Sequence, residues 1–268
     1  VSGAMINQIF LYFIVVVVIL VNASKSCPKL LEGPSLQFVD APGRIVEVSN
    51  PKPLECRRIF ECNVMTAPSE STIYWYKNNN IVHASVSRDL TLSNPYHESG
   101  TGAVLGISEQ RHRICIDSLL VGETNPVQIK CRVQSSCVPR IVIQSDPVVF
   151  QPDTKLDNSL GYVNHYYKAP LITLISSSRL ELAGNFVQLF CNAVGSPKPE
   201  ITWRIIDNED ETISHDIDLY PFIWEVGNGN VIIDTVKTNE ASISLQCTAK
   251  NKFGDDVAHS SVILVDGN

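Results

Sequence analysis

Apolar and polar positions alternate over short stretches along most of this chain, and turn-forming residues interrupt the alternation at close intervals. Segments such as RIVEVSN, STIYWYKN, PVQIKCRV, RIVIQS, NFVQLFCNAV, EITWRII, NVIIDTV and ISLQCTAK place β-branched and aromatic side chains at a period near two, with Gly, Pro, Asn and Ser between them. The pattern predicts half-buried strands, and no stretch carries the spacing of an amphipathic helix. The chain is therefore expected to be all-β. One segment departs from it: Ile9 to Val21 (IFLYFIVVVVILV) is an unbroken apolar run of thirteen residues, with no charge before Lys25. Spanning a bilayer takes about 20 residues at ~1.5 Å each, whereas a run of about 7 to 15 followed by small residues marks a secretory signal. Val21, Asn22, Ala23 and Ser24 offer the small-residue site, so residues 1–23 are expected to be a signal peptide cleaved after Ala23. The rival reading is an uncleaved anchor stretched to span. The sequon Asn22 to Ser24 straddles the cleavage site. The C-terminal ILVDGN resembles neither a second membrane segment nor a lipid-anchor signal, so a secreted, extracellular product without a stable membrane anchor is expected.

Charge and cysteine content narrow the partners. With 28 acidic against 21 basic side chains the net charge is −7, which argues against nucleic acid, whose binding runs on Lys and Arg, and against an anionic membrane surface. Eight cysteines, an even number, point to an oxidising compartment and to disulfide bonds.

Two stretches share one order of residues. Cys62 is followed by Trp75 and then Cys131; later, Cys191 is followed by Trp203 and then Cys247. An immunoglobulin sandwich requires this order: a cysteine on strand B bridges to one on strand F across two sheets, and a Trp on strand C packs against the bridge. Sheets about 10 Å apart leave room for such a cystine with an indole beside it. The order predicts one sandwich over residues 36–152, a linker over 153–168 and a second sandwich over 169–266.

At these residues the chain resembles a known family. VGSPKPEITW is similar to the B to C stretch of I-set immunoglobulin domains, GNGNVII to their strand E and CTAKNKFG to their F to G hairpin. A signal peptide followed by two such domains resembles the nematode zwei-Ig (Zig) proteins and the insect insulin-binding Ig protein called neural/ectodermal development factor. The resemblance implies two tandem I-set-like β-sandwiches. It also implies binding of an extracellular protein, either a cell-surface Ig receptor in neuronal adhesion or axon-position maintenance, or an insulin-like peptide whose signalling is limited by capture. Where family members often carry Asp, Gly and Tyr before the strand F cysteine, this chain has Ala241, Ile243 and Leu245, and Asn125, Val127 and Ile129 in the first domain. Neither domain is expected to form a tyrosine corner.

Cys27, Cys56, Cys115 and Cys137 fall in or just before the first domain. CRRIFEC and CRVQSSC have five residues between cysteines, wider than the two to four usual in structural zinc sites, so disulfides are expected rather than metal. Three pairings are open. Strand neighbourhood favours Cys56 with Cys115, because strands B and E are adjacent, and Cys27 with Cys137, because both lie at one end of the sandwich.

In the linker, Tyr162, His165, Tyr166 and Tyr167 either pack at the domain junction or offer rigid contact area to a partner. The loop DNEDETISHDID, Asp207 to Asp218, holds six acids and no Lys or Arg; it is either a solvated hairpin or a field that steers a basic partner. Six scattered histidines form no HExxH pair, and there is no nucleophile elbow or phosphate-cradling loop. GNGN at 227–230 precedes a strand and reads as a turn. No enzyme activity, cofactor or metal is expected. Homodimerisation through an exposed sheet edge stays open.

Overall fold

The computed structural model describes residues 30, 32–49, 51, 54–88, 103–137, 140–152, 169–207, 210 and 212–266. The signal-peptide expectation for residues 1–23, Cys27, and the linker residues Tyr162, His165, Tyr166 and Tyr167 lie outside them.

The first sandwich is built from β1 (Ser35–Phe38), β2 (Arg44–Glu47), β3 (Arg58–Ala67), β4 (Ser71–Lys77), β5 (Asn80–Ser87), β6 (Ile107–Cys115), β7 (Val127–Ser135), β8 (Val142–Gln144) and β9 (Val148–Phe150). In one sheet β1 and β2 both pair with β3, which pairs with β6; the facing sheet runs β5-β4-β7, with β8 and β9 on the far side of β7. The period-two pattern turns Phe60, Cys62 and Val64 of β3 toward Ile73 and Trp75 of β4 and toward Val127, Ile129, Cys131 and Val133 of β7. Each fully buried aliphatic side chain of this kind stabilises the fold by ~1.5–3 kcal/mol. Cys62 and Cys131 bridge the sheets with Cα atoms 6.8 Å apart, and Trp75, only 1% exposed, meets Phe60 edge-on at 5.8 Å.

The second sandwich comprises β10 (Leu171–Leu182), β11 (Phe186–Leu189), β12 (Cys191–Val194), β13 (Glu200–Ile206), β14 (Ser214–Asp216), β15 (Ile223–Gly227), β16 (Asn230–Asp234), β17 (Ser242–Asn251) and β18 (Gly254–Val265). Cys191 and Cys247 bridge its sheets with Cα atoms 6.6 Å apart, beside Trp203. The Trp203 indole N–H donates to the Gly229 carbonyl at 2.8 Å. Gly229 has φ +79°, and a Cβ there would collide with the Cys191 carbonyl and Ile201, so the GNGN turn needs glycine at this position. In place of a tyrosine corner, Val127, Ile129, Ile243 and Leu245 all point into the cores.

Three features depart from the sequence pattern. A five-residue helix, Ile116–Leu120, joins β6 to β7. NFVQLFCNAV is not one strand but two: β11 pairs with β16, whereas β12 pairs with β10. The switch occurs at Phe190, whose N–H donates to Ser176 Oγ and whose carbonyl accepts from the Ser176 N–H, both at 3.0 Å. Finally, β10 serves both sandwiches. It pairs antiparallel with β12, parallel with β18 at Ser178–Leu182, and antiparallel with β6 of the first sandwich between Leu174 and Leu180. A single ten-stranded sheet results, ordered β1-β3-β6-β10-β18-β17-β13-β14 with β2 and β12 attached. The β6 edge, whose outward N–H and C=O groups would otherwise be open to any strand, is closed by the second domain.

Candidate interaction surface

The junction between the sandwiches rests on a buried ion pair. Arg179 and Glu181 lie two residues apart on β10 with fully buried side chains, joined at 3.0 Å. Burying two charges is unfavourable unless their remaining hydrogen-bonding capacity is met. Much of it is met from the first sandwich: Glu181 accepts from the Leu105 N–H at 2.7 Å and the Gly106 N–H at 3.1 Å, and Arg179 donates to the Gly106 carbonyl at 3.4 Å. Asn185 donates to both Glu181 and the Ala103 carbonyl at 3.2 Å. The β10 carboxylate thus does for the 103–106 segment what an anion does at a cluster of backbone amides.

A second anchor lies at the other end of β10. Cys56 and Cys115 form a disulfide that packs with Ile59 against Leu171, the first residue of β10. Asp117 secures the same region, accepting from the Arg57 and Arg58 N–H groups at 2.8 and 3.1 Å and pairing with both Nε and a terminal nitrogen of Arg58 at 2.9 Å. Arg113 of β6 reaches across to donate to Asp256 of β18 at 3.0 Å and to the Ile172 carbonyl at 3.2 Å, while Asp256 accepts from the Ile172 N–H at 2.7 Å. The extra disulfide, the salt bridge and the strand pairing all hold the same two domains together.

Between these anchors β6 turns polar side chains inward. Gln110 accepts from Ser71 at 3.1 Å and Ser87 at 3.4 Å, and donates to the Ser69 carbonyl. His112 is 1% exposed, and its Nε2 has no hydrogen-bond partner. Burial in a low dielectric disfavours the imidazolium and pushes its pKa down to about 3.

On the outer face, register aligns residues from both domains. Ile107 of β6 lies opposite Leu180 of β10, and Leu180 opposite Ile263 of β18, so three aliphatic side chains form a row across the junction. Ile263 is 47% exposed; Val257 and Val265, on the same side of β18, are 40% and 39% exposed. A recess of about 330 Å³ lies beside the row, lined by Ile206, Asp207, Ser244, Leu245, His259, Ser260 and Ser261. That volume is at the lower limit for small-molecule sites, and the lining is largely polar. Charge is unevenly divided: residues 169–266 hold fourteen Asp and Glu against six Lys and Arg, whereas residues 36–152 hold eleven of each. The acid-rich loop contributes β14, at the far edge of the sheet, and there Glu225 has its pKa raised by desolvation and by the charges of Asp218, Asp216 and Glu200.

Of the residues singled out from sequence, Cys62, Cys131 and Trp75 meet in the first core, and Cys191, Cys247 and Trp203 in the second. Cys137 is disulfide-bonded, and the Cys27 half of the expected pairing lies outside the described residues. The closest set of metal-type donors among the described residues is Cys56, Cys115 and Asp117, but both sulfurs are in a disulfide and the carboxylate is engaged by Arg58. His83, His112, His215 and His259 belong to separate strands, and the structure does not gather them. Sequence reasoning missed Arg179, Glu181 and the Ile107, Leu180, Ile263 row; an Arg and a Glu two apart inside an otherwise uncharged strand were the available signal.

Residues 169–251 match the immunoglobulin domain family model. The mouse neural cell adhesion molecule L1 is 31% identical over 114 residues, which is 41% of this chain and 9% of L1. Interference hedgehog of Drosophila virilis is 33% identical over 101 residues, covering 38% of this chain and 10% of that protein. The chain therefore spans a tenth or less of these relatives. Among solved structures, that of neural ectodermal development factor IMP-L2 superposes with a TM-score of 0.53 at 21% identity, covering 87% of this chain and 96% of that one, and so shares the two-domain fold.

Proposed function

We propose that this chain is a secreted recognition protein, without chemistry of its own, that binds another extracellular protein on the outer face of its ten-stranded sheet. The observation that supports this most is the in-register row of Ile107, Leu180 and Ile263, assembled from both domains and flanked by exposed Val257 and Val265. A face with an apolar centre and a polar surround suits a protein partner. The likeness of 114 residues of this chain to neural cell adhesion molecule L1 favours a cell-surface immunoglobulin receptor, in neuronal adhesion or axon-position maintenance, over an insulin-like peptide.

The two partners are separable by experiment. The purified chain is tested against cell-surface immunoglobulin receptors and against a panel of insulin-like peptides. Binding to a receptor that weakens at least about tenfold in Ile263→Lys supports the reading, since a charge at an apolar centre is costly to desolvate. Binding to the peptides alone replaces the adhesion role with capture, and binding unaffected by Ile263→Lys removes the sheet face as the site.

A further inference from the structure

We propose that two copies of this chain associate edge to edge through β5. Among the described residues β5 ends its sheet, paired with β4 on one side only. Its eight residues, NIVHASVS, include no Lys, Arg, Asp, Glu or Pro, and Ile81, Val82 and Val86 are 55%, 41% and 49% exposed. Soluble proteins usually blunt a free edge with charge, proline or short length. The other ends of the three strand orders follow that habit: β1, β8 and β11 are only three or four residues long, β14 is three residues long and includes Asp216, and β15 carries Glu225. β5 is the longest of these six ends and combines that length with an absence of charge, although a bulge at Val82 interrupts its pairing with β4.

The strand is suited to itself. In an antiparallel pair centred on Ala84, Val82 of each copy lies opposite Val86 of the other, and no like charges meet across the two-fold axis. A charged partner strand would gain no salt bridge from this edge, whereas a second copy supplies the same neutral strand and closes the contact at two subunits. Tyr74 and Tyr76, in register with Ala84 and Ile81 on the neighbouring strand, flank the seam. The seam lies in the five-stranded sheet and the β6–β10 junction in the ten-stranded one, so a dimer that leaves both ten-stranded faces open would bind a surface-anchored partner with avidity.

Sedimentation equilibrium of the secreted chain over rising concentration tests this. A mass approaching twice that of the chain is expected, with Val82→Lys and Val86→Lys weakening association by at least about tenfold. Those positions are exposed, so the melting temperature should hold, and Ile263→Lys should lose partner binding yet keep the dimer. Hydrogen exchange of the unmodified chain gives a second readout: amide protection across Val82–Val86 should rise with concentration. A monomer at every concentration, as would follow if residues 89–102 occupied the edge, overturns the proposal, and so does a dimer indifferent to both lysines.

Discussion

β6 pairs with β3, which carries Cys62, and β16 pairs with β11, which ends two residues before Cys191, yet the two strands are made of opposite material. β16 reads NVIID and fills its core with Val231 and Ile233, both 0% exposed. β6 reads ISEQRHRIC and turns Ser108, Gln110 and His112 inward, at 1%, 0% and 1% exposure. Their neighbours differ too. β16 lies between β11 and β15 of its own domain, whereas β6 lies between β3 and a strand of the other domain. The second sandwich is a self-contained apolar core. The first relies on a polar network, a second disulfide and a strand donated from outside. A polar strand contributes less by burial than an apolar one, so its stability depends on hydrogen bonds being complete, and β10 completes many of them.

Breaking that dependence gives the largest expected effect. Glu181→Ala removes the carboxylate that pairs with the buried Arg179 guanidinium and the acceptor for the Leu105 and Gly106 amides, which should cost about 3–5 kcal/mol in urea unfolding. The loss should fall on the first sandwich as much as on the second, although the substitution lies in the second. Next, the double change Cys56→Ala and Cys115→Ala, which spans 59 residues of sequence, should cost about 2–4 kcal/mol and loosen the packing of Leu171. Non-reducing peptide mapping would confirm that the other bridges persist.

A third test uses pH. Burial keeps the His112 imidazole neutral down to about pH 3 in the folded chain, whereas its ordinary value is 6.5. As pH falls, the unfolded state takes up this proton first, so the stability is complete above pH 6.5 and declines toward pH 3 by up to about 1.4 kcal/mol per unit. At pH 4.5 the deficit should be about 2–3 kcal/mol, and His112→Leu should flatten that part of the profile. The smallest effect on stability is expected for Ile263→Lys, within about 0.5 kcal/mol, because the side chain is exposed. An unchanged unfolding curve with lost partner binding would separate the face from the scaffold beneath it.

What could be read from the chain alone follows the same division. The Cys–Trp–Cys order is legible because only a cystine and an indole between two sheets satisfy it, and it marks Cys62, Trp75 and Cys131 as readily as Cys191, Trp203 and Cys247. Alternation revealed strands such as β4, β7, β13 and β17, but not β6, whose inward Ser108, Gln110 and His112 look like a loop when the period of apolar residues is the signal. The break at Phe190 was hidden for the opposite reason: NFVQLFCNAV is apolar on both sides of the switch between sheets. Least legible was the pairing of β10 with β6. Register between strands so far apart in sequence is set by the bulge at Ser176–Ser178 and by the Arg179–Glu181 anchor, neither of which any local pattern specifies.

The central claim, that β10 closes the β6 edge and makes one sheet of two domains, is tested most directly by hydrogen exchange at single-amide resolution. The alternate amides of Ser108–His112 that point away from β3 bond only to β10. Protection there comparable to that of the β3-facing amides, and its loss in Glu181→Ala, is the predicted result. Rapid exchange at those alternate amides in the intact chain, with β3-facing amides protected, would show β6 to be an open edge and would contradict the account.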